Sequence, residues 1–330
     1  MSLVTLESAA LRVSVNPEIG GTITGIEHKR SGLSVLGQVP WEPVDAPFDP
    51  PAAPDERTWL TRYTGGWPLL FPNGGDACDF AGAFHGFHGE ASIAPWESEA
   101  GVSTLRLTRQ FLTVPVRMQR EIALDGDVVV SRETAIAEGA RPVTVMWGHH
   151  PTFGSDLLDG EFELQAGART VLVDRNYDPP ANPLRPGASG NWPTVPGKSG
   201  MIDLRREPRG IVAAVAYLGN FKSPWISIRR LDNAIAATLS WDERVFRCVW
   251  LWCELGGTQE PPWCGKARLI GLEPNTTGLG AGLAEAERRD KNLLILQPGV
   301  AVDAFVRLHI CEPRGTITGV NEDGRALSGA

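Results

Sequence analysis

The sequence predicts an all-β fold, a large antiparallel β-sandwich, on three observations. Short alternating or β-branched runs recur from one end to the other, clusters of Gly, Pro, Asn and Asp separate them, and helix-forming stretches are nearly absent. The 37 glycines and 26 prolines supply turns, and 11 tryptophans supply bulky apolar surface for a wide core. All-β sandwiches and barrels often run long as one unit, so the 330-residue chain is read as one domain, 1–330.

In chain order the clearest strand signals are Leu11 to Val15, Ser103 to Thr108, Val128 to Ser131, Val143 to Trp147 and Ile211 to Tyr217. Trp225 to Ile228, Ala236 to Trp241, Val249 to Trp252 and Val300 to Ile310 follow. Asp125-Gly126-Asp127 and Asp159-Gly160 sit between such runs and read as hairpin turns. Pro40 to Asp55 and Tyr177 to Gly200 are rich in turn residues and read as long surface loops, because strands of the same character continue on either side. The one fair helix candidate is Gly280 to Lys291, where Leu283, Ala284, Glu285, Ala286 and Glu287 are good helix formers.

Composition excludes several classes. Hydrophobic residues at 42% and charged residues at 21% rule out a disordered chain. A net charge of −8, with no run of Lys or Arg longer than a pair, argues against a nucleic-acid partner, whose phosphates demand a basic face. No stretch approaches the roughly 18 apolar residues of a membrane helix, so no membrane partner is expected. The first residues lack a basic and then apolar leader, and five sparse cysteines do not read as a disulfide framework. A cytoplasmic protein is expected. Cys248, Cys253 and Cys264 match no common zinc spacing, so no metal is expected either.

Four segments concentrate the residues that do chemistry. Gly65 to Gly75 is followed by Phe84-His85-Gly86-Phe87-His88-Gly89-Glu90-Ala91, where glycines beside histidines let backbone approach a ligand. Gly148-His149-His150-Pro151-Thr152-Phe153 delivers two histidines from a β run into a turn. Histidine titrates near neutrality and suits acid/base work, and successive side chains on a strand point oppositely, so one of the two faces a site. In Lys266 to Thr277 a strand ends on Glu273 beside apolar neighbours, an environment that raises a carboxyl pKa as a general base often requires. Trp250 and Trp252 share one strand face, suited either to a core or to stacking on the apolar face of a sugar ring. A satisfied turn residue is an even alternative for Glu273 and His150 taken singly.

Together, and in this order, these segments resemble the aldose 1-epimerase (galactose mutarotase-like) family. The resemblance runs from about residue 10 to about 310. It rests on Gly65-Gly66-Trp67-Pro68 to Pro72, His88-Gly89-Glu90-Ala91 with trailing Trp96, Gly148 to Phe153, Glu273-Pro274-Asn275-Thr276 and Leu296-Gln297-Pro298-Gly299. Gly20 to Ile26 is similar to the family's opening hairpin.

What the resemblance implies is a galactose mutarotase-like supersandwich and an enzyme that interconverts the anomers of a free aldose. Glu273 and His150 are the implied acid/base pair, with no cofactor needed and a small-molecule sugar as partner. His88, His85, Arg62, Asp232 and Trp252 are candidate substrate-binding residues. Relatives acting on phosphorylated sugars usually carry Arg immediately before the Gly-Gly pair. Here that position is Thr64, with Arg62 two residues back, and the position after Ala91 is Ser92, which points to an unphosphorylated sugar. The alternatives are a non-catalytic carbohydrate-binding protein on the same fold, or a lyase or glycosidase. The three tyrosines sit in none of the motifs, which weighs against a lyase.

Overall fold

The computed structural model describes residues 3–289 and 293–329. Antiparallel strands dominate it. One large sheet has eight strands in the order Phe162–Ala166, Trp225–Arg230, Ala236–Trp241, Ala301–Cys311, Val128–Ala137, Val116–Asp125, Thr104–Gln110 and Glu97–Ala100. A second eight-stranded sheet runs Ser189–Asn191, Thr170–Val173, Val212–Gly219, Cys248–Leu255, Arg268–Asn275, Gly148–His149 and Leu69–Leu70, with Thr152–Phe153 also paired to Arg268–Asn275. A four-stranded sheet, Val4–Glu7, Leu11–Asn16, Thr22–His28 and Leu33–Ser34, contains the expected opening hairpin. The all-β sandwich expected from the sequence is therefore the observed architecture.

One apolar core joins all three sheets. It takes Val13 and Ile26 from the small sheet, Leu105, Val129 and Leu308 from the first large sheet, and Leu218, Leu251 and Leu272 from the second. In the second sheet the period-2 rule divides each central strand between two tasks. Ala214, Ala216 and Leu218, then Val249 and Leu251, then Ile270 and Leu272, face that core. The intervening Val215 and Tyr217, Trp250 and Trp252, and Gly271 and Glu273 stand on the opposite face. The ladder places Tyr217 beside Trp250, Trp250 beside Glu273, and Trp252 beside Gly271.

Turn chemistry was legible in part. Asp125 pairs with Val128 across Gly126-Asp127, as a tight hairpin requires. Asp159-Gly160 is a different case, because it links the short 3₁₀ turn Ser155–Leu158 to Phe162–Ala166 and closes no hairpin. Neither long loop is merely surface. Pro40 to Asp55 buries Ala53, whose carbonyl accepts from Phe87 N at 2.8 Å, and Asp55 caps a short helix, Glu56–Leu60. Tyr177 to Gly200 contains the strands Ser189–Asn191 and Thr194–Gly197. The expected helix forms over Leu283–Arg289, and the Lys291 end of that expectation lies outside the described residues. No helix among the described residues is long and apolar enough to cross a membrane.

Because Leu251 is 2% exposed and faces the shared core, Leu251→Ala is expected to lower unfolding free energy by about 2–5 kcal/mol in denaturant titration. A loss below about 1 kcal/mol would contradict the assignment of that face to the core.

Candidate active site

On the face of the second sheet opposite the core lies a cleft of about 470 Å³, within the range of small-ligand sites. Its floor is the patch just described: Val215 and Tyr217, Trp250, Trp252 and Glu254, and Glu273, from three neighbouring strands. Its walls come from loops. The segment around Glu56–Leu60 contributes Trp59 and Tyr63, the Phe87-His88 turn contributes both residues, and Pro261-Pro262-Trp263 closes one rim.

Glu273 is 2% exposed, and room for its carboxylate exists because residue 271, two before it on the same face, has no side chain. A Cβ on Gly271 would stand 2.4 Å from Glu273 Oε1 and 3.2 Å from the Cβ of Trp252. Oε1 is 3.6 Å from His150 Nε2, while Oε2 has no hydrogen-bond partner among the described residues. Burial alone raises this carboxyl well above its ordinary 4.5, since ionisation must occur away from water.

His150 follows the two-residue strand Gly148–His149, and its N–H donates to Pro68 O at 3.0 Å. Its Nδ1 lies 3.0 Å from Thr152 Oγ1, which is 2.6 Å from the Tyr63 hydroxyl. Burial pushes the imidazole down to about 4. As the alternation rule requires, His149 points to the other side, into the core.

His88 adopts φ 58°, an uncommon left-handed conformation for a residue with a side chain, held by reciprocal bonds. His88 N donates to Gly75 O, and Gly75 N donates to His88 Nδ1, both at 3.0 Å. An Nδ1 that accepts leaves the proton of the neutral ring on Nε2. Burial, with the neighbouring His150 adding to it, keeps His88 neutral well below its ordinary value. The two imidazole centroids are 5.3 Å apart.

Of the residues singled out from sequence, the cleft gathers Glu273, His150, His88 and Trp252. Three others lie elsewhere. Asp232 is exposed in the turn between Trp225–Arg230 and Ala236–Trp241 of the other large sheet, 2.5 Å from Arg230 Nη2, so the expectation that it binds ligand is corrected. Arg62 does not line the cleft: its guanidinium lies 4.3 Å over the Phe48 ring and its Nε donates to Ala46 O at 2.7 Å. His85 is 2% exposed in the hairpin Cys78–Phe80 with Ala83–His85, off the cleft lining.

The structure adds residues the sequence did not reveal. All three tyrosines, Tyr63, Tyr177 and Tyr217, line the cleft, and so does Trp59. Asp174 also lines the cleft. Its Oδ1 accepts from the N–H groups of Asn176 at 2.6 Å and Tyr177 at 2.7 Å, and its Oδ2 accepts from the Tyr217 hydroxyl. The period-2 pattern of Ile211 to Tyr217 was the one available signal, since it puts Tyr217 on the face away from the core; nothing in the sequence marks Asp174 or Trp59.

The raised Glu273 carboxyl has a consequence for stability. Between pH 4.5 and its native value, the folded state holds a proton that the unfolded state has released, so native stability falls as pH rises through that window. Glu273→Gln removes this penalty. Its Tm should exceed that of the parent at pH 7, and the difference should vanish below about pH 4; a variant less stable at pH 7 than the parent would contradict the burial argument.

Neither a protein-family model nor a curated protein matches the chain by sequence. Solved structures do match by shape. A protein of Synechocystis sp. PCC 6803 superposes with a TM-score of 0.66 at 19% identity, covering 94% of this chain and 96% of that one. A galactose mutarotase related enzyme from Lactobacillus acidophilus gives 0.62 at 14% identity, covering 94% and 97%. An aldose epimerase homologue from C. elegans gives 0.62 at 12% identity, covering 94% and 98%. Identity this low speaks to architecture and not to chemistry. The order of strands, the shared core and these superpositions together establish that the chain has the galactose mutarotase-like β-sandwich fold.

Proposed function

We propose that the protein is an aldose 1-epimerase-like enzyme that interconverts the anomers of a free, unphosphorylated sugar, with Glu273 and His150 as its acid/base pair. The observation that carries this reading is the pair itself: a buried carboxyl group and a buried imidazole 3.6 Å apart, both lining a sugar-sized cleft.

The chemistry balances with one shared proton. Glu273 Oε2 lacks a donor, and the anomeric hydroxyl of a bound sugar supplies it. That hydrogen bond favours the charged carboxylate and draws the shared proton to His150. Glu273 then takes the hydroxyl proton as the C1–O1 bond becomes a carbonyl. The C1–O5 bond breaks, and O5 receives the proton of His150. After half a turn about C1–C2, O5 attacks the other carbonyl face, returns its proton to His150, and O1 recovers its proton from Glu273. Positioned proton transfer of this kind contributes about 10²–10⁴-fold per group. The Nε2–H of His88 donates toward the ring oxygen and shares the developing charge. Trp252 offers an apolar platform, and Asp174 with Tyr217 offers hydroxyl partners at the far end.

Charge supports the unphosphorylated substrate. Among the described residues, the lining carries five carboxylates besides the proton-holding Glu273 (Glu56, Asp76, Asp174, Glu254 and Glu260) against one guanidinium, Arg57. A phosphate entering such a cleft meets like charge from most directions.

Three outcomes check the reading. Polarimetry over free aldoses and their 6-phosphates should show rates above spontaneous mutarotation for at least one free sugar and none for the phosphates; faster turnover of a phosphate would overturn the assignment. In the pH profile, kcat/KM should rise through about pH 4, where His150 loses a second proton, and fall on the alkaline side as Glu273 surrenders the last one. Gly271→Ala, which forces the carboxylate from its pocket, should lower kcat by at least about 10-fold with the fold retained by circular dichroism. Full activity in that variant would remove Gly271 from the argument.

A further inference from the structure

Behind His150, in the core between the two large sheets, lies a charged group that the proton transfers above leave unused. His149 is fully buried, and its Nδ1 accepts from Trp67 Nε1 at 3.0 Å. The ring proton is thereby assigned to Nε2, which lies 3.4 Å from Glu133 Oε2. Glu133 stands on Val128–Ala137, in the opposite sheet. Its other oxygen accepts from Ser131 Oγ and lies 3.3 Å from Arg120 Nε. Arg120 Nε donates to Ser131 Oγ at 2.9 Å, and its Nη1 donates to Gly21 O at 3.0 Å. The side chains of Arg120, Glu133 and His149 are all 0% exposed.

Such a group is a poor way to gain stability. Removing two charges from water is costly, and buried ion pairs can often be exchanged for apolar side chains without loss. Here the satisfaction is incomplete as well: among the described residues Arg120 Nη2 has no hydrogen-bond partner, and Glu133 Oε2 and His149 Nε2 have only their 3.4 Å ionic approach to each other. The strand it grips is also short. Gly148–His149 spans two residues, paired through Gly148 to Asn275 and Leu70 and through His149 to Leu69. A tilt of that strand passes through one peptide bond to His150, whose 3.6 Å approach to Glu273 has little tolerance.

We propose that Arg120, Glu133 and His149 form a positioning group that ties the Gly148–His149 strand to the opposite sheet and so fixes the His150 imidazole against Glu273. None of the three reaches the cleft, so they act through His150, and the catalytic part of this inference rests on the acid/base reading above. Trp67 contributes by holding the His149 ring in the tautomer that directs Nε2–H toward Glu133.

The test is the apolar replacement Arg120→Met/Glu133→Leu/His149→Phe, compared with His149→Gln, which keeps an acceptor for Trp67 and a donor for Glu133. The triple variant should fold with a Tm at or above that of the parent, yet lose about 10²-fold in kcat with KM within about 2-fold, the penalty expected of a misplaced catalytic group. His149→Gln should stay within a few-fold of the parent. A folded triple variant with parental kcat overturns the proposal. Should the triple variant fail to fold, His149→Leu decides in its place, and a parental kcat there overturns it equally. A second readout needs no substrate: the His150 Cε1–H resonance should be single and sharp in the parent and broadened or split in the variant. If the parent shows no anomer exchange, the acid/base reading falls, and this resonance still decides the positioning claim, with an unchanged line overturning it.

Discussion

A carboxyl group with 2% exposure and one unpartnered oxygen is expensive to keep, and much of the cleft is arranged around that expense. Among the described residues no Lys or Arg forms an ion pair with Glu273; His150 Nε2 lies 3.6 Å from its Oε1. Burial moves the two groups in opposite directions, the carboxyl up and the imidazole down, so that each resists ionising alone. The result is a pair that keeps one proton over a broad pH range, held on Glu273 with His150 neutral. A hydrogen-bond donor brought by a ligand to the free oxygen tips that balance.

The space for this pair depends on strand register. Cys248–Leu255 and Arg268–Asn275 each give alternate residues to the core and to the cleft, and the ladder sets Gly271 against Trp252 and Trp250 against Glu273. A slip by one residue would send Leu272 into the cleft and Glu273 into the sandwich interior. Leu251 and Leu272, by burying against the first sheet, are what prevent the slip. Core and site are thus two faces of the same three strands, which is why the residues that stabilise the molecule also aim its functional groups.

How far the sequence could be read follows from the range over which each signal acts. Glu273, His150, His88 and Trp252 sit in segments whose local pattern, a strand end, a Pro-containing turn, a glycine-flanked histidine and a period-2 aromatic pair, marked them as candidates, and the order of those segments, through the family resemblance, selected them. Asp232 was drawn in by its place after a strand, yet that strand belongs to the other large sheet, a partition that pairing over long separations decides. Asp174 carries no comparable mark, because its role depends on the loop Asn176-Tyr177 folding back on its carboxylate. Arg62 and His85 lie close in sequence to residues of the site and turn away from it, Arg62 onto Phe48 and His85 into the body of the protein. Tyr63 enters only through a tertiary partner, Thr152, whereas Tyr217 is turned to this face by strand alternation and held there by Asp174.

The most direct test of the central claim is magnetisation exchange between the α and β C1 resonances of a free aldose that binds, recorded with the parent protein and with Glu273→Gln. The account predicts exchange well above the spontaneous rate with the parent and a return to the spontaneous rate with the variant, while both still bind the sugar. Equal exchange with the two proteins would contradict it, and would leave the cleft as a place that holds sugar without turning it over.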